Sequence, residues 1–377
     1  GFLFYFLVIS LYDSQKMSDK KISVVQVIDQ LNVGGAERVL INWANILLEK
    51  KQQAAVVTTV RPGVLSKELK EEVIFFDLQR KWKWNPFAMH RLVKFIKNYD
   101  VIHVHSSHNL RYVWLASKLF GLKKPIFFHE HFYFDKISWH RRVIYPKTKM
   151  ICVSGFVRDW AIQNKLSTEN NSFLLRNTIV PHLIDIAPTE KKTGTIKILM
   201  TGNIAPRKNM EFALEIMKEL KNQLFEKYEL TIIGSIVDKK YFNYIQNKIA
   251  IDGLENQINF IHDCENVQPI LNHFDLAIHP SKFETGPLVL IEYLSKSLPF
   301  VSHNTGEVPF QIKEALPGFI IENFEPEKWL TAIQDILSDD KKILHTKMKS
   351  VFEKYYSIDQ YYETGMNIYA KGLNKAE

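Results

Sequence analysis

Two glutamates, Glu284 and Glu292, stand eight residues apart in the run FETGPLVLIEYL at 283–294. The glycine and proline between them suit a tight turn before a helix, so we expect Glu284 on a loop and Glu292 inside the helix. The free N–H groups of Leu288 and Val289 at the start of that helix would attract phosphate. Carboxylates accept hydrogen bonds from hydroxyls. The segment therefore predicts a site for a sugar attached to a nucleoside diphosphate.

Two adjacent cations, Arg207 and Lys208, follow a predicted strand at 196–201 in the segment that begins with Gly202. In an open α/β sheet, ligands bind beyond the carboxyl ends of the strands. An arginine fork beside a lysine point charge suits a diphosphate, which the two could neutralise as it leaves. A solvated basic loop is the alternative, and the two glutamates favour the binding site over it.

The first half carries a glycine pair of its own, Gly34 and Gly35, between a β-branched strand at 22–28 and a predicted helix at 36–48. Paired glycines let a ligand approach the backbone closely and leave the helix N-terminus open. The loop does not match the six-residue dinucleotide fingerprint. By itself the pair does not identify a ligand.

Five histidines gather near the ends of two predicted strands at 101–105 and 126–129. They are His103, His105, His108, His129 and His131. Such a cluster could bind a metal ion, but no carboxylate set at ligand spacing accompanies it apart from Glu130. We expect no metal there. His103 and His105 share one face of their strand, and we predict that both are buried with satisfied ring nitrogens. His131 lies just past its strand and is the best candidate to reach a cleft.

Short apolar strands alternate with helices through the first half, and the pattern restarts near residue 196. Strands of this kind, separated by helices, are typical of parallel sheets. The segment at 181–194 contains two prolines and suits a linker. The sequence therefore predicts an α/β protein of two doubly wound, Rossmann-like domains that face a central cleft. We place the first domain at 17–185 and the second at 186–354, with a helix at about 355–377 packing back on the first.

Residues 1–16 differ from the rest because they are almost continuously apolar. The run is too short to span a bilayer and lacks the basic flank of a signal peptide. We expect Met17 to be the natural start and the preceding residues to be an artificial or upstream-read extension. A weak interfacial anchor is the alternative. The two cysteines, Cys152 and Cys264, make neither a disulfide framework nor a metal cluster, which favours a reducing compartment.

The net charge of +8 is concentrated in the first half of the chain. Residues 1–185 contain 27 Lys and Arg against 15 Asp and Glu, a balance of +12, and the remaining 22 and 26 leave −4. Within this basic half, cations and tryptophans alternate at Arg80, Lys81, Trp82, Lys83 and Trp84, and a second basic stretch contains Arg141 and Arg142. Tryptophan beside lysine suits a membrane interface or an anionic acceptor. The alternative is a loop whose tryptophans pack against the domain. No recognised nucleic-acid motif is present, so we expect no nucleic-acid partner.

Several of these segments together resemble the family 4 glycosyltransferases of the GT-B fold, and the resemblance covers nearly everything from Lys21 onward. The matching segments are Gly34 to Glu37, Val101 to His105, the strand ending at His131, Ile151 to Ser154, Arg176 to Thr178, Gly202 with Arg207 to Asn209, and Glu284 with Glu292. The last two are specific in this order and spacing. The usual Glu-Gly-Phe-Gly form is here Glu284-Thr-Gly-Pro287, and His262-Asp263 replaces a common glycine, which leaves the donor base open.

The resemblance implies a retaining transfer of a sugar from a UDP-, GDP- or ADP-sugar, without a metal ion or other cofactor. Arg207 and Lys208, with Gly202 and the amides of Leu288 and Val289, would bind the diphosphate, and Glu292 would bind the ribose. Glu284 would bind the donor sugar and His131 would lie at the reaction centre. Gly34 and Gly35 would line the phosphate and acceptor side.

The expected acceptor is a glycan or a lipid-linked molecule, in the synthesis of cell-surface polysaccharide or glycolipid. The expected location is the cytoplasm, with peripheral attachment to the inner face of the membrane if the basic residues dock there. A nucleotide-sugar 2-epimerase of the same fold and a non-catalytic sugar-nucleotide or membrane-binding protein are the alternatives.

Overall fold

The computed structural model of the chain describes residues 21–182, 194–223, 227–262 and 264–374. Two parallel β-sheets form its frame, one in each half of the sequence. The predicted pair of doubly wound sheets is therefore confirmed. The extension at 1–16 and most of the predicted linker lie outside the described residues.

The first sheet has seven parallel strands in the order β3-β2-β1-β4-β5-β6-β7. They are β1 (Ser23–Ile28), β2 (Gln53–Thr58), β3 (Ile74–Asp77), β4 (Val101–His105), β5 (Ile126–Glu130), β6 (Lys149–Cys152) and β7 (Ser172–Leu174). The central strands are buried along almost their whole length because helices cover both faces of the sheet. The strand order reverses between β1 and β4, which opens a crevice at the carboxyl ends of the strands.

Five helices connect these strands: α1 (Gly35–Glu49), α2 (Pro86–Ile96), α3 (Ser107–Leu119), α4 (Trp139–Ile144) and α5 (Gly155–Gln163). Local sequence explains where several begin. The side chain of Asn85 accepts from the Ala88 amide at 3.1 Å, ahead of a proline in the first turn of α2. Ser154 caps α5 in the same way. In contrast, α1 follows Gly34, which has no side chain to cap the helix.

The second sheet has six parallel strands in the order β10-β9-β8-β11-β12-β13. They are β8 (Thr195–Thr201), β9 (Lys227–Ile233), β10 (Ile258–Ile261), β11 (Leu276–His279), β12 (Phe300–His303) and β13 (Ile320–Ile321). Its helices are α6 (Met210–Gln223), α7 (Lys239–Ile251), α8 (Leu288–Ser295), α9 (Glu307–Ile312), α10 (Pro326–Ser338) and α11 (Lys341–Tyr356). The order reverses again between β8 and β11, so this sheet has its own crevice.

The C-terminal helix α12 (Ile358–Asn374) returns to the first half of the chain. Tyr369 accepts a hydrogen bond from the Trp43 indole at 2.6 Å. Gly365 lies against the same indole so closely that a Cβ would be 2.4 Å from it. The sequence predicted a returning helix at about 355–377, and the structure begins it at Ile358. The preceding Ser357 accepts from the Gln360 amide with its hydroxyl.

Candidate active site

The carboxyl ends of the two sheets face one cleft that both halves of the chain line. It contains all ten residues of the predicted diphosphate, sugar, ribose and glycine-loop sites: Gly34, Gly35, His131, Gly202, Arg207, Lys208, Glu284, Leu288, Val289 and Glu292. These residues come from distant parts of the sequence. Parallel strands bring them together because their carboxyl ends end at one edge of each sheet.

Glu284 lies at the centre of a charge cluster in this cleft. Its Oε1 is 2.5 Å from Lys208 Nζ and 3.5 Å from Arg207 Nη1. The Lys208 and Glu284 side chains are about nine-tenths buried, at 10% and 11% exposure, whereas Arg207 is 43% exposed. A ligand phosphate could take the place of the carboxylate beside Lys208, since both present acceptor oxygens to the ammonium.

The charges fix the protonation of this cluster. Burial alone would raise the pKa of Glu284, but Lys208 outweighs it together with His279 and Arg207, and the pKa falls to about 2. His279 Nε2 lies 3.7 Å from the same carboxylate oxygen. Burial, followed by the charge of Lys208, lowers the pKa of His279 to about 3. At neutral pH the cluster therefore contains an ionised carboxylate, two cations and a neutral imidazole.

Two glycines let the backbone approach these charges. Gly202 has φ +145°, and a Cβ there would lie 3.0 Å from Lys208 Cε. Gly234, just after β9, packs so closely that its Cβ would be 2.1 Å from the Gly202 carbonyl oxygen. Because only glycine fits at such a contact, the pair forms the floor of the cleft over which the lysine side chain extends.

Helix α8 begins at Leu288, with Pro287 as its N-cap. The backbone of Pro287 is extended rather than helical. No side chain caps this end. The amides of Leu288 and Val289 are thus the first two of the helix, at the wall of the cleft.

Glu292 lies one turn further along α8, and its carboxylate also lines the cleft. It makes no side-chain hydrogen bond within the described ranges 21–182, 194–223, 227–262 and 264–374. Burial raises the pKa of Glu292 to about 7, and Arg38 opposes the shift. A half-ionised acceptor without a protein partner suits hydroxyl donors of a ligand, which would favour its charged form.

The glycine loop closes the cleft from the first half. A Cβ on Gly35 would meet nothing within 4 Å, so this side of the loop is open. Arg38, in the first turn of α1, pairs with Glu68 and donates to the carbonyl oxygen of Glu265 in the second half. Lys67 reaches the Glu265 carboxylate at 2.6 Å. The loop after β10 is therefore held against the first half by a hydrogen bond from α1 and an ion pair with Lys67.

His131 lies on the opposite wall, just after β5. Its carbonyl oxygen accepts from Thr285 Oγ1 at 2.7 Å, a bond that joins the two halves beside Glu284. Its ring nitrogen Nε2 lies 3.2 Å from His105 Nδ1. Burial lowers the pKa of His131 to about 3, so the imidazole is neutral at physiological pH. The prediction that it reaches the cleft is confirmed.

Behind His131, three buried imidazoles lie close enough to be considered as a metal site. Ligand nitrogens of His103, His105 and His129 lie within 4.8 Å of one another. Both nitrogens of His105 are already engaged, by His131 and Gln26. A three-histidine site would need His105 to give up one of these bonds. His103 was expected to have both nitrogens satisfied, which is wrong for Nε2 among the described residues, while Nδ1 meets a tyrosine hydroxyl.

Two family models match successive halves of the chain. The model described as Glycosyltransferase Family 4 matches residues 33–172, and the model described as Glycosyl transferases group 1 matches residues 184–353. The chain belongs to the family 4 glycosyltransferases of the GT-B fold. The glycosyltransferase is thus an enzyme, and the non-catalytic alternative is set aside.

Similar proteins agree with this family. The glycosyltransferase is 22% identical to the Escherichia coli UDP-Gal:alpha-D-GlcNAc-diphosphoundecaprenol alpha-1,3-galactosyltransferase, over 71% of this chain and 73% of that protein. It is 25% identical to a Campylobacter jejuni diNAcBac-PP-undecaprenol alpha-1,4-N-acetyl-D-galactosaminyltransferase, over 71% and 75%. These relatives are glycosyltransferases by name, so the 2-epimerase alternative gains no support.

Solved structures share the fold. A glycosyltransferase from Rickettsia africae superposes with a TM-score of 0.75 at 19% identity, over 94% of this chain and 99% of that one. Anabaena HepE, solved in complex with UDP and glucose, gives 0.74 at 15% identity, over 90% and 97%. At these identities the likeness shows the GT-B architecture.

The structure adds residues in and beside the cleft to which sequence reasoning gave no role in the site. Glu307, at the start of α9, accepts from the Gly155 amide at 2.9 Å and from Arg176 Nε at 2.6 Å. Asn177 donates to the Gly286 carbonyl oxygen at 2.8 Å. These bonds join the two halves of the glycosyltransferase beside the site. The glycine before Glu307, three residues after the end of β12, was the only signal that could have indicated it.

The predicted basic residues form a second concave surface on the first half of the glycosyltransferase. We call this the basic-aromatic face. It is lined by Arg80, Lys81, Trp82, Lys83, Trp84, His108 and Arg111, beside Asp29 and Val60. Trp82 is 61% exposed, so packing of this tryptophan against the domain, the alternative weighed above, is not observed. Arg111 and Lys83 lie over the ring of Trp84 at about 5.5 Å and 5.4 Å.

The second basic stretch approaches the same face through α4. Burial, followed by Arg111, Arg141, His108 and Lys83, lowers the pKa of His140, so cations of both basic stretches and Arg111 lie near it. Arg141 stacks on Phe134 at 3.5 Å, and Arg142 is exposed on the same helix. Among the described residues, no helix is both long and apolar enough to cross a membrane.

Proposed function

We propose that the enzyme is a retaining glycosyltransferase that moves a sugar from a nucleoside diphosphate to a lipid-linked acceptor, in the synthesis of a cell-surface polysaccharide or glycolipid. The observation that carries this proposal is the Arg207, Lys208 and Glu284 cluster, which shares one cleft with Glu292 and an uncapped helix N-terminus. Each part matches one part of a nucleotide sugar.

On the donor side, Arg207 and Lys208 take the diphosphate together with the amides of Leu288 and Val289. Helix N-termini and paired cations both bind phosphate, and here they line the same cleft. Glu292 accepts from the ribose hydroxyls, and Glu284 accepts from the sugar once phosphate has taken its place beside Lys208. UDP-sugars are the first donors to test, because a relative is named for a UDP-sugar and a structural neighbour was solved with UDP.

In the transfer step, the bond between the anomeric carbon and the diphosphate oxygen breaks, and a new bond forms to the acceptor oxygen on the same face of the sugar. The acceptor hydroxyl gives up its proton to the departing phosphate. We assign catalysis mainly to Arg207 and Lys208, which stabilise the charge that develops on the diphosphate. Glu284 and His131 hold the sugar between them. The backbone at Gly34 and Gly35 lines the path of the acceptor.

We further propose that the enzyme needs no metal ion or other cofactor. Two preorganised cations supply the positive charge that a divalent ion gives in other phosphate sites. In the described cleft the only carboxylate beside them, Glu284, is already bound to Lys208. Transfer should therefore continue in excess chelator.

The acceptor assignment rests on the relatives and on charge. Two relatives are named for sugars linked to diphosphoundecaprenol or PP-undecaprenol. The basic-aromatic face offers cations and exposed tryptophan, which suit an anionic membrane surface or an acceptor diphosphate. We place the enzyme in the cytoplasm, attached to the inner face of the membrane through this face.

A direct test uses the purified full chain with a panel of UDP-, GDP- and ADP-sugars and a polyprenyl-diphosphate sugar in vesicles. Thermal shift selects the donor, since a ligand at 100 times its Kd stabilises by about 2.7 kcal/mol. NMR of the product then reports the anomeric configuration. We expect transfer in the presence of EDTA and a product with the configuration of the donor.

Each result has a defined meaning. Inversion at the anomeric carbon contradicts the retaining assignment, and loss of activity in EDTA with recovery on Mg²⁺ contradicts the metal-free one. Epimerisation of the donor sugar without any acceptor would support the 2-epimerase alternative. Transfer only to a soluble glycan would refute the lipid-linked acceptor.

A further inference from the structure

A row of hydrogen bonds runs through the first sheet from α1 to the cleft. Gln26 Nε2 donates to the Leu40 carbonyl oxygen at 3.0 Å. Gln26 Oε1 lies 3.0 Å from His105 Nε2, and His105 Nδ1 lies 3.2 Å from His131 Nε2. Gln26 and His105 are completely buried on the adjacent strands β1 and β4. Only His131, at the end of the row, lines the cleft.

Only one assignment of hydrogen-bond donors and acceptors satisfies every bond in this row. The Leu40 carbonyl can only accept, so it fixes the Gln26 amide with its nitrogen toward α1 and its oxygen toward His105. His105 must then donate from Nε2. Burial lowers the pKa values of His105 and His131 well below neutrality, so each ring has a single proton. His105 Nδ1 is therefore an acceptor, and His131 must donate to it from Nε2.

We infer that Gln26 is a positioning residue that sets the tautomer of His131 through His105, so that His131 offers an unprotonated Nδ1 to the substrate. The described residues make no hydrogen bond to His131 Nδ1. The stacked neighbours His103 and His129 make no hydrogen bond to either ring and do not compete for these protons.

This inference deepens the proposed function and rests on it for the ligand. A sugar presents hydroxyl donors, and a nitrogen that can only accept orients one of them. With the opposite tautomer, His131 would present an N–H and repel the donor hydrogen of a sugar hydroxyl held in that orientation. The geometry therefore assigns to His131 an acceptor role, and to a glutamine outside the cleft the task of keeping it.

The first test reads the wild-type protein directly, needs no activity, and uses one variant only to assign the signals. In protein labelled with ¹⁵N at histidine, long-range ¹H–¹⁵N correlation distinguishes protonated from unprotonated ring nitrogens. His131→Phe removes one set of signals and so assigns them. We expect His131 at neutral pH to be protonated at Nε2 and bare at Nδ1. A ring protonated at Nδ1, or at both nitrogens, overturns the inference even if the enzyme transfers sugar normally.

The second test changes the start of the row. Gln26→Met removes the acceptor opposite His105, so His131 should become a mixture of tautomers and kcat/KM for the donor should fall about tenfold. Gln26→Glu retains an acceptor oxygen whether ionised or protonated and should restore the wild-type pattern. Gln52→Met is the matched control. Gln52 is also buried and makes two hydrogen bonds, with the Ile22 amide and the Tyr362 hydroxyl, neither of them to a histidine.

The outcomes separate a positioning role from a structural one. If Gln26→Met and Gln52→Met lose stability and activity alike, with the His131 tautomer unchanged, Gln26 is only a packing residue and the inference fails. If Gln26→Met does not fold, the wild-type and Gln26→Glu spectra still decide. If no donor supports transfer, the proposed function fails while the tautomer measurement stands independently.

Discussion

Lys208, in the second half, lies 2.5 Å from the Glu284 carboxylate and is 10% exposed, whereas Lys83 and Arg111, in the first half, form no ion pair with any described residue. The first arrangement buries a charge in a region of low dielectric, where its interaction with a bound anion is strong. The second leaves cations in solvent, where they create a field that salt screens within about 10 Å. The buried charge on the donor side thus suits catalysis, and the charge of the basic-aromatic face suits the attraction of an anionic partner.

Replacing Lys208 by alanine tests the donor side and has the largest expected effect. Lys208→Ala removes a preorganised cation and leaves Glu284 buried with only Arg207 and a neutral His279. We expect kcat/KM to fall about 10²-fold, the usual cost of losing one charge-stabilising group. The fall should be nearly independent of ionic strength. Steady-state kinetics with a verified donor, at low and high salt, measures it.

Lys218→Ala is the matched control, because Lys218 also pairs with a carboxylate, Asp252 at 3.1 Å, but lies away from the cleft. It should keep its activity. Unchanged kinetics in Lys208→Ala would remove the basis of the donor site.

Neutralising the basic-aromatic face tests the other side of the comparison. Lys83→Ala with Arg111→Ala should weaken binding to anionic vesicles about 30-fold, since each cation near such a surface contributes about 1 kcal/mol. Co-sedimentation with vesicles of phosphatidylglycerol and phosphatidylcholine measures this, and the wild-type binding should weaken with salt. Activity on a short, water-soluble acceptor analogue should change less than twofold.

Lys239→Ala with Lys240→Ala removes two exposed cations from the second half and serves as the control. Equal vesicle binding by both double variants would show that net charge, rather than this face, drives attachment. A loss of activity on the soluble analogue would instead place the face within the acceptor site.

Glu292 sharpens the comparison because it is half-buried and makes no side-chain hydrogen bond or ion pair with the described residues. The effect of changing it is the smallest of the three. The pKa of Glu292 is raised to about 7, and donor hydroxyls should lower it by favouring the ionised form. Donor binding therefore releases protons, and the Kd should decrease as pH rises from 6 to 8. Glu292→Gln should weaken donor binding about tenfold at pH 8 and show little of this pH dependence.

The same raised pKa has a consequence for stability. A carboxyl whose folded pKa exceeds its unfolded value stabilises the fold below the unfolded pKa, and this stabilisation is lost as pH rises through about 7. Without donor, the free energy of unfolding of Glu292→Gln should therefore exceed that of wild type by about 1–3 kcal/mol at pH 8, and the two should be equally stable near pH 4. The exposed Glu215→Gln is the control. A destabilised Glu292→Gln protein at pH 8 would contradict the unpaired state of this group.

Much of the frame follows from local pattern. Buried runs such as Val101–His105, separated by helices, indicated parallel strands, and these strands exist. The short strands β7 and β13 were missed, because three or two residues carry no usable periodicity. The returning helix was predicted to begin at about residue 355 and begins at Ile358, because the two flanking helices pack on different halves of the chain.

Some residues of the candidate site could likewise be predicted from local sequence, and others could not. Glu284, Glu292, Arg207 and Lys208 could be selected from the sequence because their spacing beside glycines and a predicted helix start suits a sugar diphosphate. Glu307 and Gln26 could not, because a lone glutamate on a helix or a lone glutamine in a strand looks like any other. Their roles come from partners 152 and 79 residues away.

The sequence by itself determined the two parallel sheets, the family resemblance and the residues that gather at the cleft, since these depend on local periodicity and short motifs. Only the tertiary structure decided how the charges are paired. It placed Lys208 against Glu284, left Glu292 and the basic-aromatic face without carboxylate or cation partners among the described residues, and joined Gln26 to His131. The pairing of charges, their burial and the tautomers of the histidines depend on distances between segments that are remote in the sequence. A linear pattern does not contain those distances.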